Sequence, residues 1–462
     1  MRSGKCSPLG MVALVCLVSL IVPAVCGCRS HPARLGPIRV LRIEGVEKCM
    51  NYSRVSFVWV SGTIKDRPAG LLAREGDILW VETGKEALYL VPYAESDGRS
   101  LSFEGKESRL LLGGRPVAID LGGDTAGWQW LKTAAHKDLT SVRFVYLPDG
   151  TDTSERALLK KLAEASPHAG LAAKGDTLRE ALSLFRPASL VVDSVSLKEP
   201  GLAPLSSLRE LTFLAINVDK DDTPDLQVLA RLPRLRQLVL IGLERMVDLS
   251  PAAECERLQS VCIVMYKAEE LASVARLTGI KELHLIMAQD LADLSALSAL
   301  TELQTLTLTL SGGEEPIDLA VLRKLKGLKW LGFPPGVTHE QFAAAVKDHP
   351  RLEAVELVAC ENVEDLSPLR DLPDLKALVL VDSKATTGPP LNELKGLRLL
   401  VLHKDGVEKE PEKIRELEKD LPECLIVGGE GMCLGSGWIV LLIPFAAVGW
   451  LVSRRRRPRH LH

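Results

Sequence analysis

Across the middle of this chain an apolar residue returns at every third position, and each such run closes on two apolar residues separated by one. Leu229, Leu232, Leu235, Leu238 and Leu240 set the pattern. Leu271, Val274, Leu277, Ile280, Leu283 and Leu285 repeat it, as do Leu294, Leu297, Leu300, Leu303, Leu306 and Leu308, and later Leu366, Leu369, Leu372, Leu375, Leu378 and Leu380. The closing pairs start at Leu211, Leu238, Val261, Leu283, Leu306, Leu331, Val355, Leu378, Leu400 and Leu425, at spacings of 27, 23, 22, 23, 25, 24, 23, 22 and 25. A fixed period of this size is the signature of a stacked array. Apolar residues three apart suit a short helix or helical turn, and the closing pair alternates as a strand does. Neither half buries its apolar side alone, so the units must stack. The expected fold class is α/β, a solenoid with parallel strands on its concave face and short helices on its convex face.

The helical halves carry a start signal. Asp365-Leu366-Ser367-Pro368-Leu369 and Asp248-Leu249-Ser250-Pro251 place a serine, read as the cap, directly before a proline at the first helical position. With the period, these strings resemble the internalin-like class of bacterial leucine-rich repeat proteins over residues 200–430. That class places Asn or Cys three residues after the second leucine of the pair. Here the column reads Ile216, Leu243, Tyr266, Ala288, Ser311, Gly336, Cys360, Ser383 and Asp405, and only Cys360 matches. Pro334 and Pro335 predict a bend or break in the ladder, because proline supplies no amide hydrogen. Degenerate units extend the solenoid upstream, giving 126–430, with Ile414 to Val427 as its closing helix and strand.

The ends read as addresses. Residues 1–28 predict a signal peptide, with Arg2 and Lys5 before an apolar run from Met11 to Val25. Val25-Cys26-Gly27-Cys28 resembles a lipoprotein cleavage box, which would make Cys28 the lipidated residue. Residues 432–452 are uncharged and long enough for one C-terminal transmembrane helix, and the arginines from Arg454 predict a basic cytoplasmic tail over 453–462. The glycine-rich flank, span and arginine run resemble the sorting tails of Gram-negative surface proteins. The localisation expected is a single-pass cell-membrane protein with its repeats extracytoplasmic. Residues 37–122 have a different texture, with short β-type runs such as Ile78 to Glu82 and Ala87 to Val91 between turn signals, and predict a small antiparallel β domain. Its aromatics could form a sugar platform or simply fill a core.

Chemistry is sparse. The formal charge is −3, but seven cations lie at the two ends, so the expected folded part is more acidic and nucleic acid is a poor partner. There is no phosphate loop, no metalloprotease helix and no nucleophile turn, and Cys49, Cys255, Cys262, Cys360 and Cys424 form no disulfide or zinc framework. The acids from Asp219 to Asp225 lack the glycine and glutamate of a calcium loop. Asn51-Tyr52-Ser53 is a glycosylation sequon. The reading is therefore a protein that is not an enzyme, takes no cofactor and no metal, and binds a protein or peptide. The alternatives are a structural envelope or display protein and, less favoured, an enzyme with its site in the N-terminal β domain. The strand positions facing away from the leucines form columns. One runs Thr212, Val239, Cys262, His284, Thr307, Gly332, Glu356, Val379 and Val401, and the next contains Ile241, Val264, Ile286, Val358 and Val381. The second is more apolar than a wet sheet face needs to be, which marks it as the expected binding strip unless the N-terminal β domain folds back over it. On this register Leu306 is buried and Thr307 open.

Overall fold

The computed structural model describes residues 35–431, apart from 57, 65–66, 85–86, 96–99, 124, 149, 196–200, 219–223, 267–270, 288–292, 311–316 and 385–390. The signal segment, Cys28, the apolar span and the basic tail lie outside the described residues, among which no helix is long and apolar enough to cross a membrane.

Nine strands precede the repeats: β1 Arg39–Glu44, β2 Lys48–Asn51, β3 Val58–Ser61, β4 Ala69–Ala73, β5 Ile78–Thr83, β6 Ala87–Pro92, β7 Ser100–Lys106, β8 Arg109–Leu112 and β9 Arg115–Asp120. Thirteen follow: β10 Phe144–Tyr146, β11 Gly170–Lys174, β12 Ser189–Val195, β13 Phe213–Val218, β14 Gln237–Leu243, β15 Ser260–Met265, β16 Glu282–Met287, β17 Thr305–Leu310, β18 Trp330–Phe333, β19 Ala354–Val358, β20 Ala377–Val381, β21 Leu399–His403 and β22 Leu425–Gly431. From β9 to β22 every neighbouring pair is parallel. The leucine pairs fall in register as expected, Leu238 beside Val261 and Leu283 beside Leu306. The first and last units differ: Leu214, not Leu211, lies beside Leu238, and Ile426, not Leu425, beside Leu400. The facing position in the first unit is therefore Ala215 rather than Thr212.

The convex side is mostly 3-10 turns rather than α-helix, at Ala203–Ser207, Leu226–Arg231, Ser295–Ala299, Ala320–Lys324 and Ser367–Asp371. A strict three-residue spacing explains this, since a 3-10 turn stacks every third side chain on one line. Leu297 N–H donates to Leu294 O at 2.9 Å, and Leu300 N–H to Leu297 O at 3.0 Å. The caps also differ from expectation. The carboxylates of Asp248, Asp293 and Asp365 accept from the amides of Ser250, Ser295 and Ser367 at 2.9, 2.7 and 2.8 Å, so the aspartate rather than the serine does the capping. Pro334 shortens β18 without breaking the ladder: β18 keeps three register pairs with β17 and four with β19, and the α-helix His339–Asp348 replaces the usual turn. Cys360 donates weakly to Val358 O and Pro334 O, at 3.5 and 3.6 Å.

The N-terminal strands do not form a separate domain; the described residues from Gly36 to Gly431 belong to one compact unit. β9 pairs in parallel with β10, so the parallel stack begins inside the segment assigned to the β domain. At the other end β3 pairs antiparallel with β22, Val60 beside Gly429. The strand path runs from β4 through β1, β7, β8 and β9 into the repeats, then out through β22, β3, β2 and β5 to β6. Both edges of the repeat sheet are thus paired by the chain's own N-terminal strands, which removes the exposed ladder that an open solenoid leaves. A Cβ at Gly429 would lie 2.7 Å from Val401 Cγ1 and 2.9 Å from Val58 Cγ1, so only glycine lets β3 seat here.

Two cores result. The leucine pairs fill one, between sheet and convex turns, with Cys255. The facing columns fill the other, against the N-terminal strands. The tie at the far end is polar: Arg67 pairs with Glu418 on the helix Pro411–Asp420.

Candidate functional site

Strand alternation sends Val239, Ile241, Cys262, Val264 and Ile286 away from the leucine core. They pack against Leu41, Met50, Trp80, Tyr89 and other side chains of β1 to β9. The ring of Tyr52 lies 6.4 Å from that of Phe213 on β13. The expected binding strip is therefore not an open face. Ile241, Val264 and Val381 are buried at 2, 1 and 0% exposure and Ile286 at 4%, while Val358 alone of the five stays half-exposed. The physical reason is that an apolar strip of this length is most cheaply covered from within the same chain. Thr307, expected open, is buried with it.

An apolar interface of this kind has one polar centre. Arg54, Arg74 and Asp77 on the N-terminal side and Glu282 on β16 are 4, 3, 1 and 1% exposed. Arg54 Nη2 lies 3.5 Å from Asp77 Oδ2 and 3.4 Å from Glu282 Oε1, and Arg74 pairs with Glu282. Asp77 also accepts from Asn51 Nδ2 at 2.7 Å, from Gln237 Nε2 at 3.2 Å and from the Arg74 amide at 2.9 Å. Two cations face two carboxylates, so the buried charge balances. Burial pulls both guanidinium groups below their ordinary range, and the carboxylate of Asp77 opposes that shift in each. Asn51, the sequon residue, is buried and its amide is spent on Asp77 and Leu72 O, so the folded chain does not present it for glycosylation.

Beside this centre the cover leaves a small cavity that opens to solvent. Its walls include Arg54, Val55, Leu71 and Leu72 from the N-terminal strands, and His284, Ile286, Thr307, Thr309, Trp330, Glu356, Val358 and Val379 from the sheet. Thr309, Glu356 and Val358 are half-exposed and mark the opening. Val55 holds a left-handed backbone at φ 39°, costly for a β-branched residue, directly after Arg54. Arg54 stacks its guanidinium 4.1 Å from the Trp330 ring centre, and Trp330 Nε1 donates to Glu356 Oε1 at 2.8 Å. His284 Nδ1 meets Thr307 Oγ1 at 2.7 Å. Burial, reinforced by Arg54 and Arg74, holds His284 well below its usual range, so it is neutral. Burial raises Glu356 against the pull of Arg54 and the Trp330 bond.

Of the five strip residues, Ile286 and Val358 line this cavity and Ile241, Val264 and Val381 do not. Sequence reasoning missed Arg54, Arg74, Asp77 and Glu282. Glu282 sits in the column before each leucine pair, with Gln237, Ser260, Thr305 and Trp330, where its charge was a readable signal. Among the described residues no cluster of histidine, cysteine or acidic groups is arranged to hold a metal. All five cysteines described are free, four of them buried and Cys424 partly exposed.

The strand ladder and leucine spacing together define a leucine-rich repeat fold. No protein-family model matches the sequence, and no curated protein matches it. Among solved structures, a leucine-rich repeat protein of Leptospira interrogans is similar at 16% identity and a TM-score of 0.34, over 67% of this chain and 94% of that one. The Toll–Spätzle complex of Drosophila is similar at 11% identity and a TM-score of 0.39, over 69% of this chain and 43% of that one. At such scores the fold assignment rests on the repeats and the ladder themselves.

Proposed function

We propose that this protein is an exported, membrane-anchored repeat protein without catalytic activity, that it binds a protein or peptide partner, and that the partner enters the cavity beside Ile286 and Val358. The observation that supports this reading is the local gap in the cover: mid-sheet, the facing columns are half-exposed at Thr309, Glu356 and Val358 and buried on both sides. A pocket with apolar walls and a few polar groups is the ordinary form of a recognition site. A structural or display role is the second reading, favoured by the closure of both sheet edges.

A photo-crosslinker installed at Val358 in intact cells tests the choice. Binding at the cavity gives discrete crosslinked products that disappear when Thr309→Trp blocks the mouth, and gives none from Val381. Absence of products from Val358 supports the display role. Protease added to spheroplasts should digest residues 29–430 and spare a C-terminal tag. A protected repeat domain contradicts export.

A further inference from the structure

Charge sorting around the cavity says what kind of group it takes. Arg54 and Arg74 are matched by Asp77 and Glu282, and Arg54 is further held over the Trp330 ring. The N–H groups of Arg54 left without partners are buried in the cavity wall, as is Nε2 of His284, whereas Glu356 reaches solvent. Glu356 is different. One carboxylate oxygen accepts from Trp330, and among the described residues it has no ion-pair partner. It stands half-exposed at the mouth with the hydroxyl-bearing Thr309 nearby in the lining, and the remaining wall is largely aliphatic. A carboxylate in apolar surroundings with no cation in direct contact is costly even with Arg54 acting on it from further off, and an arriving cation recovers part of that cost.

Resting on the cavity being the binding site, we infer that its occupant is an alkylammonium group, the side chain of a lysine on the partner, with its ammonium on Glu356 and its methylene stem among Ile286, Val358 and Val379. Long cationic side chains pair an aliphatic stem with a charged head in this way. Burial raises the pKa of Glu356, so its charged form is costly until a cation reaches it.

The test titrates the full-length chain at neutral pH with N-acetyl-lysine methylamide, hexylammonium, hexanol and hexanoate, reading heat or chemical shifts. The lysine amide and hexylammonium should bind, and hexanol and hexanoate should be weaker by roughly ten-fold or more, the worth of a charge-assisted hydrogen bond. Glu356→Gln should cost the same factor, with Glu356→Asp between the two and both keeping wild-type denaturation midpoints. Hexanoate or hexanol binding as well as hexylammonium, or an unchanged affinity in a folded Glu356→Gln variant, overturns the assignment. Binding of hexylammonium with exclusion of the lysine amide overturns the lysine form of it. The two readings fail separately: crosslinks from Val358 that persist unchanged in Glu356→Gln sink the ammonium assignment alone, whereas crosslinks and amine binding that both survive Thr309→Trp sink the cavity itself.

Discussion

Replacing Glu282 by glutamine should loosen the N-terminal strands from the repeats, and the cost follows from the cluster's geometry. Glu282 is 1% exposed and faces both Arg54 and Arg74. Its loss leaves two buried guanidinium groups against the single carboxylate of Asp77. Breaking a buried pair from one side costs about 3–5 kcal/mol, and the amide oxygen that replaces the carboxylate recovers about 1 kcal/mol as a neutral acceptor. The expected loss is therefore about 2–4 kcal/mol. Adding Arg74→Met removes a charge of the opposite sign, so the double variant should be no less stable than Glu282→Gln alone. As a control, Arg234→Ala removes an exposed partner of Glu210 and should cost at most about 1 kcal/mol. Urea denaturation of these three variants and of Arg74→Met alone gives the values, and native-state hydrogen exchange should show Ala69 to Thr83 opening before the repeat strands. Losses in Glu282→Gln and Arg74→Met that simply add would refute the pairing, because interacting residues must couple.

Leu306→Ala should cost about 2–5 kcal/mol, the range for a buried leucine, and Thr307→Ala about 1–3 kcal/mol because it strands the ring nitrogen of His284; indistinguishable midpoints for wild type and Thr307→Ala would show that position to be open. Aspartate at Ile241, Val264 or Ile286 should destabilise the fold rather than only abolish partner capture, since each lies under the N-terminal strands; a triple variant with the wild-type denaturation midpoint contradicts that cover. His284 is held neutral in the fold, so the unfolded chain binds the extra proton and the stability this group provides, present above about pH 6.5, is lost as pH falls through that value. His284→Gln should flatten the fall in stability between about pH 7 and pH 5 relative to wild type, and parallel curves would contradict it.

The repeat was legible because its signal is local: leucines three apart specify the turn, and the pair beyond them specifies the strand, within one unit. What the leucines pack against follows from the same pattern. The cover did not, since nothing in the short runs at Val58–Ser61 or Arg115–Asp120 names β22 or β10 as a partner hundreds or tens of residues away. The apolar columns announced only that something must cover them, and Ile241 and Val264 read the same beneath a partner or beneath the chain's own strands. The error in the first unit has a local cause. Leu211 and Leu214 both satisfy the period, and only the pairing of Leu214 with Leu238 selects between them. Charges that belong to the interface were hidden by distance: Arg54 and Glu282 lie 228 residues apart and each alone looks like ordinary surface.

The central claim is that the chain's own N-terminal strands occupy the concave face, and the native thiol of Cys262 reports on it directly. Cys262 points to that face, is fully buried among residues that pack on the N-terminal strands, and has its thiol pushed far up by burial. Cys255, seven residues earlier, sits in the leucine core on the other side of the sheet, where burial pushes it up to about 11. Maleimide labelling of the folded protein, followed by mass spectrometry, should leave both thiols unmodified, with Cys262 reacting in step with opening of the N-terminal strands. Rapid modification of Cys262 in the folded chain while Cys255 stays protected would mean that the concave face is open and the cover does not exist.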